Sequence, residues 1–252
     1  MTRAVGIDIS KYQISFDPDL AVNPIDYVIQ RTSWAMNQDE AFNVIWRGVR
    51  KIERRAAYHY FSTGAPWLDQ ADLFLEIGVG RKYKALFVDY EHGYNNLNAK
   101  TARDLEKFLL YLMEQRPGKR VVGYSNTYTY RDFIQPYVTN LVAKIPWMFA
   151  RYPWIPRPQT AGPRFPTGCR TDWGFHQYSE TGKGPLYGCA WKHVDLGVFN
   201  GAVPELETFF KMDEQVPPVP PPPIPPADCT ASQKAVLSQV MDFTQNLSDK
   251  LI

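Results

Sequence analysis

Short apolar runs rich in β-branched and aromatic residues recur along the first 200 or so positions, each bounded by polar or turn-forming residues. "AVGIDIS", "DYVIQRTS", "RRAAYHYFS", "KALFVDYEH", "KRVVGYSN", "IPWMFARYP" and "WGFHQYS" read as strands, and "VDLGVFNG" as an eighth. Between the earlier runs the apolar spacing changes to three and four, which predicts helices over 40–53, 67–79 and 101–115 and a shorter one over 130–137. Thr101 followed by Asp104 reads as a helix start, and "RPG" ends that helix. Strand and helix alternating at this spacing predict parallel pairing, and roughly eight strands in this length favour a barrel. After Phe149 the chain turns proline-rich and loses its helical pattern, so the last strands are expected to follow one another directly. The expected fold is α/β: an irregular TIM-like β/α barrel of eight strands, with fewer helices in the last third.

The barrel pattern fills residues 1–212. Residues 213–228 carry "VPPVPPPPIPPAD", whose composition enforces an extended polyproline spacer. Residues 229–252 follow as a short amphipathic segment in which Leu237, Val240, Thr244, Leu247 and Leu251 step by three and four. That helix either self-associates, attaches the chain to a larger assembly or docks on a neighbouring domain, and it is too short to be an independently stable wall-binding module.

Composition narrows the function classes. The apolar fraction is 44%, with 14% aromatic, which marks a globular chain. A net charge of +2 directs no strong field at nucleic acid or an anionic membrane, and no run approaches a membrane span. The amino terminus reads directly into a strand, so synthesis in a cytoplasm without a signal peptide is the expectation. Cys169, Cys189 and Cys229 include no CxxC pair, which disfavours a zinc site; thiols are the expectation, with a Cys169–Cys189 bridge as the alternative.

The chemistry concentrates at "LFVDYEHG". Asp89 and Glu91 stand at positions i and i+2 of one strand, so they share a face at its carboxyl end, where barrels carry their active sites. Two close carboxylates push their proton affinities apart, as glycoside hydrolysis requires. Taken alone, the pair fits a salt bridge, a solvated strand end or a magnesium site equally well. Asp8, in "GIDIS", and Asp195, in "VDLGVFNG", stand at the ends of the first and last apolar runs. Closing a barrel would bring them together beside Asp89 and Glu91. Trp34, Tyr58, Tyr60, Tyr124, Tyr152 and Gln177 lie near other strand ends and could contact sugar faces and acetamido groups, or simply pack the rim. His59 faces away from Tyr58 and Tyr60 and reads as a packing residue, His92 follows Glu91 on the opposite face, and Arg31 is expected to pair with the cleft carboxylates, with a salt bridge outside the cleft as the alternative.

The ordered blocks "GIDISKYQ", "AAYHYF", "FVDYEH", "VVGYSN", "PWMFARYP", "FHQYS" and "VDLGVFNG" resemble glycoside hydrolase family 25, the lysozymes or N-acetylmuramidases common as phage endolysins and bacterial autolysins. The resemblance runs from about Ala4 to Phe210. It implies cleavage of the β-1,4 bond between N-acetylmuramic acid and N-acetylglucosamine in peptidoglycan, with no metal or organic cofactor. It also implies Glu91 as general acid, Asp89 as the carboxylate that orients the substrate's acetamido group or acts directly, and Asp8 and Asp195 as further cleft carboxylates. Tyr12, where histidine is common, and Gly197, where asparagine is common, depart from the family pattern. The expected partner is the peptidoglycan glycan strand, reached at the bacterial wall as a phage lysin or virion-associated enzyme. A chitinase-like glycosidase and a catalytically silent carbohydrate-binding or structural barrel are the alternatives.

Overall fold

A computed structural model describes residues 2–78, 81–91, 95–154, 156–169 and 173–211. The expected linker over 213–228, the helix over 229–252, His92 and Cys229 lie outside the described residues.

The described residues form eleven strands: β1 (Val5–Ile9), β2 (Phe16–Ala21), β3 (Tyr27–Trp34), β4 (Asn37–Gln38), β5 (Arg55–Tyr60), β6 (Ala85–Asp89), β7 (Arg120–Asn126), β8 (Trp147–Ala150), β9 (Phe175–Lys183), β10 (Tyr187–Cys189) and β11 (His193–Phe199). Eight of them close a barrel in the order β1-β11-β9-β8-β7-β6-β5-β3, with β3 returning to β1, as the apolar runs predict. β4 is an appendage to β3, and β2 pairs with β10 in a separate two-stranded sheet.

Pairing is parallel from β1 through β3, β5, β6, β7 and β8 to β9, but β11 runs antiparallel to both β9 and β1. Uniformly parallel pairing is thus corrected at the last strand. A parallel return needs a crossover of a dozen or more residues, and the short connection from β9 to β11 allows only reversal. The same reversal corrects the placement of Asp195. It stands near the amino end of β11, and reaches the face where the parallel strands end because its strand points the other way.

Helices flank the parallel part: α1 (Phe42–Val49), α2 (Trp67–Gly78), α3 (Ala99–Gln115), the single turn α4 (Thr127–Thr129) continuing into a π-helical stretch over Tyr130–Ile134, α5 (Asn140–Lys144) and α6 (Val203–Phe210). Asn98, rather than Thr101, caps α3: its side chain accepts from the backbone N–H groups of Lys100 (2.9 Å) and Thr101 (3.1 Å), and Thr101 Oγ1 accepts from Asn98 N (2.9 Å). This reciprocal box satisfies donors the first helical turn would leave open.

Two apolar cores result. One lies between the barrel and its helices, where Phe61, Phe74, Phe108 and Tyr90 meet. His59 belongs there, stacked on Phe108, with Nδ1 2.8 Å from Ser33 Oγ and Nε2 3.2 Å from Gln70 Oε1. Burial lowers its pKa to about 4, so it is neutral and structural. The other core fills the barrel with Tyr27, Ile29, Phe87, Met148, Phe175 and Phe199, and α6 closes the amino-terminal end with Leu206 and Phe210. Each such buried side chain contributes about 1.5–3 kcal/mol by leaving water. Close packing leaves no room at Gly123, where a Cβ would clash with the Trp147 ring. Cys169 and Cys189 form no disulfide with each other.

Candidate active site

The barrel plug stops short of the carboxyl ends of the parallel strands, leaving a cleft of about 910 Å³ floored by Ile29, Phe87 and Met148. Asp8 of β1, Asp89 of β6, Asp195 of β11 and Glu91, two residues beyond β6, all line it. Asp8 and Asp195 are direct cross-strand partners and share a side-chain hydrogen bond. The cleft wall is completed by Trp34, Tyr58, Tyr60, Tyr124 and Gln177. Tyr152 does not line the cavity. It stands at the rim, 43% exposed, with its hydroxyl donating to Gln177 Oε1 at 2.8 Å.

Gln177 organises one wall. Its Oε1 also accepts from Tyr124 Oη (3.0 Å), and its Nε2 donates to Asp8 Oδ2 (2.9 Å), so two phenols fix the amide that holds Asp8. Glu91 is held through its main chain: Asn95 Nδ2 donates to Glu91 O (3.0 Å) and to Phe61 O (3.0 Å). Asn95 carries no motif, and its role shows only in these contacts. Lys11 and Asn126, not singled out in the sequence, also line the cleft, as does Tyr12, the departure from the family pattern.

Arg31 does not ion-pair with the cleft carboxylates as expected. Its Nε donates to Asp39 Oδ2 at 2.6 Å, and Asp39 is completely buried. Asp39 directly follows β4, and strand periodicity alone gives no sign that it folds back onto Arg31.

Charge crowding and desolvation act together on the four carboxyls. Burial, then the neighbouring Asp8, raises Asp195 to about 9, while hydrogen bonds from Gln177 and Asp195 hold Asp8 to about 6 against its own burial. The pair therefore keeps one proton at neutral pH, with Asp195 donating to Asp8. Burial raises Glu91 to about 7, with the charge of Asp8 adding to it. Asp89 is pushed well above the usual carboxylate range by burial, then by Glu91 and Asp8, and Arg31 opposes the rise. Its Oδ1 is buried without a hydrogen-bond partner among the described residues. An unpartnered buried acceptor is costly and marks a place where a donor is wanted.

These raised values carry a stability cost. A carboxyl whose folded pKa is raised contributes stability that is complete below its unfolded value near 4 and is lost as pH rises through the folded value. Asp195→Asn mimics the protonated acid and keeps the donor to Asp8. It is expected to raise the melting temperature by several degrees at pH 8–9 and to leave it unchanged near pH 3.5, as differential scanning calorimetry would measure.

The described residues contain no cluster of three or more His, Cys, Asp or Glu side chains able to hold a metal ion. Buried paired carboxyls amid phenols and indoles suit proton transfer on a neutral, ring-shaped substrate. Residues 7–185 match the model of glycosyl hydrolases family 25. The chain belongs to that family. As a family 25 glycosyl hydrolase, it is also similar to YegX of Escherichia coli (strain CFT073), 29% identical over 226 residues that cover 84% of this chain and 75% of YegX. Among solved structures, a family 25 glycosyl hydrolase from Bacillus anthracis superposes with a TM-score of 0.68 at 21% identity, covering 83% of this chain and 94% of the other. A bacterial lysozyme from Streptomyces coelicolor gives 0.67 at 22% identity, covering 85% and 100%. The catalytic domain of the endolysin Ply40 from Listeria monocytogenes bacteriophage P40 gives 0.65 at 20% identity, covering 83% and 98%. These superpositions establish the shared barrel.

Proposed function

We propose that this glycosyl hydrolase is a muramidase that cleaves the β-1,4 bond following N-acetylmuramic acid in peptidoglycan. The observation that carries the reading is the Asp89 and Glu91 pair, set at the carboxyl end of β6 in a carboxylate-lined cleft of a family 25 chain. The names of its structural neighbours, a lysozyme and an endolysin among them, point to the same substrate class.

Glu91, protonated near neutrality, donates its proton to the glycosidic oxygen. Asp89 offers its unpartnered Oδ1 to the acetamido N–H of the sugar being cleaved. That hydrogen bond favours the ionised form of Asp89 and turns the acetamido carbonyl oxygen toward the anomeric carbon, so the substrate's own oxygen displaces the leaving sugar. Water then opens the cyclic intermediate, with Glu91 now accepting a proton. Asp8, Asp195 and Gln177 form the hydrogen-bonded wall facing this pair, and the aromatic rim at Trp34, Tyr60 and Tyr152 supplies flat surfaces for sugar rings.

The same reading places the enzyme's action at the bacterial wall, as a phage lysin whose segment over 229–252 self-associates or attaches it to a larger assembly. Turnover of purified peptidoglycan compared with chitin oligomers tests the substrate. Preference for peptidoglycan supports a muramidase, preference for chitin oligomers makes it a chitinase-like glycosidase, and binding to both with no turnover makes it a silent barrel.

A further inference from the structure

The cleft carries four carboxyl groups but only two cations among its described lining residues, Lys11 and Arg31. Lys11 is committed elsewhere, its ammonium 2.9 Å from Glu40 Oε1. Arg31 is different. Its side chain is only 12% exposed, and a guanidinium that far from solvent ordinarily spends its five N–H donors on protein acceptors. Here Nε alone is bonded, to Asp39, and neither terminal nitrogen has a hydrogen-bond partner among the described residues.

The Asp39 side of the pair is complete. Its Oδ1 accepts from Ala41 N (2.9 Å), and its Oδ2 accepts from Lys11 N (3.1 Å) as well as from Arg31. Asp39 therefore has little capacity left for the rest of the guanidinium, which is carried 5.8 Å over the Tyr12 ring instead. Register sets Arg31 beside Tyr58 on the adjacent strand, on the cleft wall that also carries Tyr12 and Trp34. The terminal nitrogens thus form a fork on a residue that lines the cleft and is held at Nε by Asp39.

A fork of this kind takes a carboxylate or carbonyl oxygen. Sugar hydroxyls and an acetamido N–H can donate to the cleft carboxylates and to Gln177. The group those anions would repel is the acyl end of the 3-O-lactyl ether, which distinguishes muramic acid from glucosamine. We propose that Arg31 is a specificity-determining residue, binding the lactyl acyl oxygen of muramic acid at the Tyr12 and Trp34 end of the cleft. This rests on the muramidase reading and deepens it.

The test uses the full chain carrying Glu91→Gln, so that ligands are bound and not cleaved. The ligands are a peptide-free oligomer of alternating N-acetylglucosamine and N-acetylmuramic acid, and the same oligomer with its lactyl carboxyl groups reduced to alcohols. Calorimetry should show that adding Arg31→Gln weakens binding of the carboxylate oligomer at least tenfold and leaves the reduced oligomer nearly unaffected. Arg31→Lys should recover part of the loss. If Arg31→Gln fails to fold because Asp39 is left uncompensated, the Lys variant decides, with several-fold weaker binding confined to the carboxylate oligomer. Equal weakening of both ligands, or none in a folded variant, would overturn the proposal. Failure of the muramidase reading has a separate signature, since wild type would then release no muramic acid ends from peptidoglycan.

Discussion

Glu91→Gln is expected to lower turnover of peptidoglycan by roughly three orders of magnitude or more while leaving the melting temperature within a few degrees of wild type. General acid catalysis is worth about 10²–10⁴-fold, and a sugar leaving group departs poorly without its proton. The glutamine amide is nearly isosteric, and the main-chain bond from Asn95 that fixes this residue does not involve the side chain. The same assignment fixes the sign of the pH dependence. Glu91 works in its protonated form, so activity should fall as pH rises through about 7, the value to which burial and Asp8 lift it. A pH–rate profile in which activity climbs steadily from pH 6 to 9 would contradict that role.

Asp89→Asn is the second large effect, with an expected loss of about 10²–10³-fold in kcat and a smaller change in KM. An asparagine at this position keeps the shape and relieves the charge crowding, so the variant should be at least as stable as wild type at pH 7. What it loses is the anionic acceptor for the acetamido N–H and the negative charge that offsets the cationic character of the transition state. The combination of higher stability and lower activity separates a functional carboxylate from a structural one. A variant that is both inactive and markedly less stable would instead mean that Asp89 holds the barrel together.

Much of the barrel was legible in the chain because its strands are buried both by the barrel interior and by the helices outside, so they read as short, nearly continuous apolar runs. The carboxylate cluster was legible for a related reason: charges at the ends of apolar strands are rare enough to attract attention, and barrel closure brings first and last strands together. Asp195 shows where that logic stops. Its membership of the cluster followed from closure, but its place near the start of β11 depends on the antiparallel return of β11, which apolar spacing does not encode. The β2–β10 pair was missed because "FDPDLA" carries a proline and two acids and buries only Phe16 fully. The Arg31–Asp39 pair was missed because its geometry is set by a turn and by two backbone N–H groups, not by any side-chain period. Asn98 lost to Thr101 as the expected cap because a capping box reads similarly from either of its ends.

The most direct measurement is digestion of purified peptidoglycan by wild type and by Glu91→Gln, with the new reducing ends identified by mass spectrometry after borohydride reduction. Wild type should release reduced muramic acid ends and the variant essentially none. Reduced glucosamine ends, or muramic acid ends released equally by both proteins, would contradict this expectation.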